Sequence, residues 1–119
     1  MLFSHSLDTE HTMEDFPLAL CSIADAWPED VRVRYLSLLR IACNGVVGLR
    51  HIRDGRHPSI EPYDALVSGA IAELRCLLED AGEHAVAERL AQCVGVNADA
   101  TDETLVRIAR DAVARGGTR

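Results

Sequence analysis

The chain has 119 residues, a formal net charge of -7 and no lysine, since all 12 basic residues are arginine. This length predicts a single domain, 1–119, and the negative charge argues against general attraction to nucleic acid or to an anionic membrane. The apolar content of 48% predicts a globular fold, with surplus apolar surface covered in a homodimer. We expect a cytoplasmic protein, because the sequence shows neither a secretory leader nor a membrane-spanning run.

Residues 1–13 mix polar and acidic side chains without periodicity, which predicts a flexible tail. Large apolar residues then recur every three or four positions, as in a short amphipathic helix. They are Phe16, Leu20, Ile23 and Trp27. Pro28 discourages a helical conformation in the residue before it and suits the first turn of the next helix. A second helix is therefore predicted to begin there.

This second helix is long and carries two apolar stripes, which require two packing partners. The first stripe holds Val31, Tyr35, Leu38, Ala42, Val46 and Leu49, and the second holds Leu36, Leu39, Cys43 and Val47. Gly45 and Gly48 each cost a helix about 1 kcal/mol relative to alanine, which predicts that another backbone approaches closely. Asp54 and Gly55 indicate the end of the helix.

Three further helices follow. The third begins near 59–62 and ends at Gly82, with an apolar seam of Tyr63, Val67, Ala70, Leu74, Leu77 and Ala81. Its opposite side carries small residues that suit either solvent or another helix, namely Gly69, Ala72 and Cys76. A short fourth helix ends at Gly95, and a fifth starts at Thr101 or Asp102. The predicted fold is all-α, an antiparallel bundle of about five helices, two of them long.

Metal, cofactor and catalytic sites are not predicted. The five histidines and four cysteines lack the spacings of metal ligands. The cysteines fall inside helical patterns, which favours free buried thiols; they are Cys21, Cys43, Cys76 and Cys93. Acidic pairs lie at helix ends, where capping and solvation account for them. A non-enzymatic protein is therefore expected.

The second stripe of the long helix, with its flanking arginines, is the best candidate for a protein-binding surface. The predicted contact residues are Arg32, Leu36, Leu39, Arg40, Cys43, Val47 and Arg50. An apolar centre with an arginine rim is common in protein interfaces, and arginine pairs bidentately with carboxylates. The partner would be acidic, either another protein or a second copy of this chain. A helix buried on both sides within its own fold would show the same pattern.

A DNA-binding module is the alternative. Residues 87–110 resemble a helix-turn-helix in the placement of Ala91 and Gly95. The turn is several residues longer than in that family, and the second helix opens with Asp102 and Glu103, which would face phosphates. Direct nucleic acid binding is therefore the second choice.

One family resemblance rests on the segment Ala26-Trp-Pro-Glu-Asp-Val31, followed by a long arginine-rich helix, a glycine turn and another long helix. Over residues 15–95 the chain looks like the small quorum-sensing antiactivators of the QslA and TraM kind. The resemblance implies a dimeric helical protein that binds a LuxR-type transcription factor and stops it from dimerising or engaging DNA. It implies no catalytic residue.

Overall fold

The structure is a computed structural model that describes residues 17, 19–55 and 60–117. Its main elements are α1 (Glu29–Gly55), α2 (Ile60–Asp80), α3 (His84–Cys93) and α4 (Asp102–Ala112). A helical turn at 19–22 and the 3-10 helix Ile23–Ala26 precede α1, and a π-helical turn, Val113–Gly117, follows α4. No strand occurs in these residues, so the predicted all-α fold is confirmed. The predicted tail, 1–13, lies outside them.

The start of α1 follows the proline signal. Trp27 has an extended backbone, with ψ of 161°, and the Pro28 carbonyl accepts a hydrogen bond from the Arg32 amide at 2.9 Å. The Trp27 ring packs edge-on against Tyr35, with centroids 4.9 Å apart, and the Tyr35 hydroxyl donates to the Leu20 carbonyl at 2.7 Å. These contacts fasten the segment before α1 to the second turn of that helix.

Helix α1 is central because it packs against both α2 and α4. Its two apolar stripes therefore have two partners, as the sequence predicts. The α2 contact is close at the two glycines: a Cβ on Gly45 would overlap the Cγ2 of Val67, and one on Gly48 would lie 2.7 Å from the Tyr63 hydroxyl. A close neighbour is therefore present at both glycines, but the predicted backbone contact is wrong: side chains of α2, Val67 and Tyr63, fill the space.

Two details of α2 differ from the predicted seam. Leu78 is fully buried, whereas Leu77 is only partly buried and Ala81 is exposed. Cys76 is exposed on the outer side, so the prediction of buried thiols is wrong at this position. A straight helix drifts away from a strict seven-residue repeat, which moves its last buried position from 77 to 78.

The remaining cysteines are also free thiols, and two of them belong to the core. Burial raises the pKa of the Cys43 thiol to about 12 and also raises the pKa of the Cys21 thiol. Both therefore stay protonated at neutral pH and act as small apolar side chains. Cys93 is partly buried at the end of α3.

Candidate protein-binding groove

Three of the predicted contact residues lie inside the fold. Leu36, Leu39 and Cys43 are fully buried in the core of the single chain. Their side chains face other elements of the same domain and leave no atom for a partner. These three residues of the second stripe pack inside the domain. The prediction that they contact a binding partner is therefore wrong.

Arg50 lies at one end of the α1–α4 contact and is used within the fold. Its guanidinium donates to the carbonyls of Gly95, Val96 and Ala98 at 2.8, 3.1 and 3.3 Å. It also donates to Asp102 Oδ1 at 2.7 Å, and only 19% of its side chain is exposed. These bonds satisfy the carbonyls after α3 and hold the start of α4, whose first turn is capped by Thr101. Arg50 is therefore a structural residue.

Arg32 has a comparable role at the other end of the same contact. Its Nη1 donates to the Arg115 carbonyl at 2.9 Å. The Arg115 guanidinium in turn pairs with Asp111 at 3.1 Å and with Asp25 at 2.6 Å, and these hydrogen bonds raise its pKa. Arg32 and Arg50 therefore set the antiparallel register of α1 and α4.

Arg40 and Val47 are the predicted contact residues that remain partly exposed without such a role. The Arg40 Nε is buried and has no hydrogen-bond acceptor among the described residues. A buried donor without a partner costs about 1–3 kcal/mol, which is an unusual feature in a native fold.

A groove of about 330 Å³ runs between α1 and α4. It is lined by Asn44, Val106, Ala109, Arg110 and Val113. Asn44 follows Arg40 by one helical turn, so the two share a face of α1. The Val113 side chain is 43% exposed, which is rare for a large apolar residue of this chain. The groove lining thus combines apolar side chains with one cation, Arg110.

Arg110 belongs to a second groove of about 330 Å³ as well. Pro17, Arg107, Asp111 and Ala114 complete its lining. The two grooves meet at Arg110 and form one continuous surface along α4. Hereafter "the α4 groove" means the lining of both.

The two arginines that line the α4 groove, Arg107 and Arg110, differ from the arginines that belong to ion pairs. Arg34 pairs with Glu73, and Arg50 and Arg115 pair with aspartates. By contrast, the described part of the chain places no carboxylate within ion-pair distance of Arg40, Arg107 or Arg110. In a chain of net charge -7, the two groove arginines offer a local site for an acidic group, although Asp111, which is paired with Arg115, also lines the groove.

The groove residues of α4 were missed because the sequence analysis followed only its buried face. Leu105, Ile108, Ala109 and Ala112 are indeed buried. Val106 and Val113, seven positions apart, form a separate row with Arg110. This row lies outside the buried stripe and contains an arginine. That pattern in the sequence could have indicated a second surface on α4.

Other kinds of site find little support within the described residues. No three histidine, cysteine or acidic side chains there group as metal ligands. None of the described helices combines the length and apolar character that crossing a membrane requires. In the helix-turn-helix segment, Asp102 at the start of α4 is bound to Arg50, and Glu103 beside it is exposed. Acidic side chains therefore occupy the position from which a reading helix would contact DNA.

Comparisons of the chain with protein-family models, with curated proteins and with solved structures found no match. The groove is therefore interpreted from its own chemistry.

Proposed function

We propose that this protein is a cytoplasmic, non-enzymatic regulator that binds another protein through the α4 groove and sequesters it. The observation that supports this most is the apolar row of the half-buried Val106 and the exposed Val113 beside Arg107 and Arg110, which have no carboxylate partner among the described residues. Interface cores are enriched in arginine and large apolar residues, and each arginine here is free to take a carboxylate. The complementary ligand is an amphipathic helix with acidic residues beside its apolar stripe.

The partner class we propose is a LuxR-type quorum-sensing transcription factor. Its support is the antiactivator resemblance at 26–31 and in the order of the long helices. Occupying a surface that such a factor needs for dimerisation or DNA contact would silence it without any chemical step. The protein would then act stoichiometrically, as an antiactivator.

Affinity capture of the tagged full chain from its native lysate, with nuclease treatment and mass spectrometry, tests this function. Recovery of a LuxR-type factor in roughly equimolar amount is expected. Val113→Asp should abolish that recovery, because it places a carboxylate among the groove residues. Ala85→Asp is the matched control, since Ala85 is exposed on α3, which does not line the groove.

The same experiment discriminates the alternatives. Recovery that depends on nucleic acid would contradict sequestration and support the DNA-binding module at 87–110, in which Arg107 and Arg110 would then contact phosphates. Equal recovery by Val113→Asp and Ala85→Asp would exclude the α4 groove as the binding surface. Capture of a protein unrelated to transcription would still support the groove as a binding surface, but it would contradict the proposed partner class.

A homodimer forms part of the proposal, and the outer side of α2 is the surface we assign to it. Leu66 is 57% exposed there, and Gly69, Ala72 and Cys76 on the same side are small and exposed. The cations of the α4 groove would repel their symmetry mates, which disfavours that face for self-association. Sedimentation velocity should show a dimer for the native chain and a monomer for Leu66→Asp.

A further inference from the structure

Residues 19–26, hereafter the strap, join α1 and α4 at one end of their contact. The strap residues that are fully buried are Leu20, Cys21 and Ala24. The Leu20 carbonyl accepts a hydrogen bond from the Tyr35 hydroxyl of α1 at 2.7 Å. The Cys21 thiol donates to the Ile108 carbonyl of α4 at 3.6 Å. The strap therefore covers core residues of both helices.

Arg115, in the turn after α4, ties the strap to the rest of the fold. Its guanidinium pairs with Asp25 of the strap at 2.6 Å and with Asp111 of α4 at 3.1 Å. Its carbonyl accepts a hydrogen bond from Arg32 of α1 at 2.9 Å. We propose that the strap opens as a unit with Arg115 as its latch, and that the open form binds the acidic partner more tightly.

The strap is the weakest part of the described fold. Its regular structure is one helical turn and a 3-10 helix of four residues, which is too short to be stable by itself. Opening it exposes three core side chains and leaves the α1–α2 contact and the bonds of Arg50 intact. Such local openings require less free energy than global unfolding.

The latch and the α4 groove share a residue. Asp111 lines the groove and also holds Arg115, and Pro17, just before the strap, is part of the same lining. Opening frees Arg115 from Asp25 and uncovers apolar side chains beside the groove. An acidic amphipathic ligand therefore gains contacts in the open form and shifts the population towards it. This regulation rests on the proposed function, whereas the opening itself does not.

Cys21 reports the opening without an added probe. In the closed form it has no exposed surface, and burial together with the Asp111 carboxylate raises the pKa of its thiol, so maleimide reacts only after opening. Its labelling rate in the native chain, relative to the denatured chain, is read by peptide mass spectrometry. This ratio should be at least about tenfold larger than the unfolding constant from chemical denaturation.

Removing the latch should speed the labelling of Cys21. Arg115→Gln should raise the rate at least about threefold, which is the size of effect expected from two partly exposed ion pairs. Asp25→Asn, at an exposed position, should raise it as well and should add nothing to Arg115→Gln, because both changes break the same pair. Arg34→Gln is the matched control: it breaks the α1–α2 ion pair with Glu73, which an open strap keeps, and should leave the rate unchanged.

The outcomes separate the opening from its role in regulation. Labelling of Cys21 no faster than global unfolding allows, or equal effects of Arg115→Gln and Arg34→Gln, would overturn the strap as an independent unit. With partner in limiting amount, tagged Asp25→Asn should recover about twofold more of it from lysate than the native chain, because the binding-competent fraction rises. Equal recovery would overturn the regulation and leave the proposed function intact. Recovery of no partner by either chain would contradict the proposed function, while the labelling results would still decide whether the strap opens.

Discussion

The two sides of α1 are held in different ways. Towards α2, the helices meet closely at Gly45 and Gly48, where no room remains for a methyl group. Towards α4, arginines at the two ends, Arg32 and Arg50, fix the register through carbonyls and Asp102. Between these ends, α1 and α4 leave a groove open to one side. One helix thus combines a tightly packed contact with a contact that is fastened at its ends.

The two contacts of α1 therefore have different roles, one in stability and the other also in the proposed binding. A close helix contact has no space for a ligand, because interiors pack as densely as organic crystals. A contact fastened at its ends leaves its middle available, and Asn44, Arg110 and Val113 lie there. The α2 side therefore contributes mainly to folding, and the α4 side contributes to folding at its ends and to the proposed binding between them.

The largest expected effect comes from removing a fastening residue. Arg50→Ala should lower the free energy of unfolding by about 2–4 kcal/mol, because the Gly95, Val96 and Ala98 carbonyls lose their donor and Asp102 loses its ion pair. Chemical denaturation measures the change. Arg75→Ala should shift stability by less than about 0.5 kcal/mol. Equal effects of the two changes would contradict the fastening role.

A substitution at the close contact should have the next largest effect. Gly45→Val should lower stability by about 1–3 kcal/mol, because its side chain overlaps Val67 on α2. Combining it with Val67→Ala should cost at least about 1 kcal/mol less than the two single changes together, as expected for residues in direct contact. Strict additivity in the denaturation data would mean that the helices do not meet at these positions.

A substitution on the outer side of α2 should raise stability, in contrast to Gly45→Val. A Cβ on Gly69 would have no heavy atom within 4 Å, so Gly69→Ala adds helix propensity without a clash. An increase in the free energy of unfolding of about 0.5–1 kcal/mol is expected. A decrease, measured under the same denaturing conditions as for Gly45→Val, would show that this side is closely packed in solution.

The smallest effect on stability is expected within the groove. Val113→Asp should change the free energy of unfolding by no more than about 0.5 kcal/mol, because Val113 is 43% exposed. Its consequence should appear in partner capture instead. A stability loss as large as that of Arg50→Ala would place Val113 in the core rather than in a binding surface.

The sequence predicted the fold better than the site, and α1 shows why. Hydrophobic periodicity and the Pro28 signal fix helix order, and the two glycines indicate a close neighbour, since both follow from local geometry. Leu36 and Leu39 show the limit, because a stripe buried by its own fold has the same pattern as one reserved for a partner. Arg50 and Arg40 show it again. Arg50 donates to carbonyls after α3, whereas the Arg40 Nε has no acceptor among the described residues, yet both follow apolar residues on the same helix.

The groove itself depends on contacts between residues far apart in the chain. Asn44 and Val113 come together only after α4 folds back along α1. Their rows are visible in the sequence, but the register that joins them is set by Arg32 and Arg50 through backbone carbonyls. Carbonyls occur at every position and therefore leave no signal in the sequence.

Photo-crosslinking from the groove in native cells tests the central claim most directly. A benzoylphenylalanine placed at Asn44 lies in the groove, and one placed at Ala85 on α3 is the exposed control. The account predicts strong adducts from position 44 alone, to the sequestered transcription factor. Adducts from position 44 no stronger than those from position 85 would contradict the α4 groove as a binding surface.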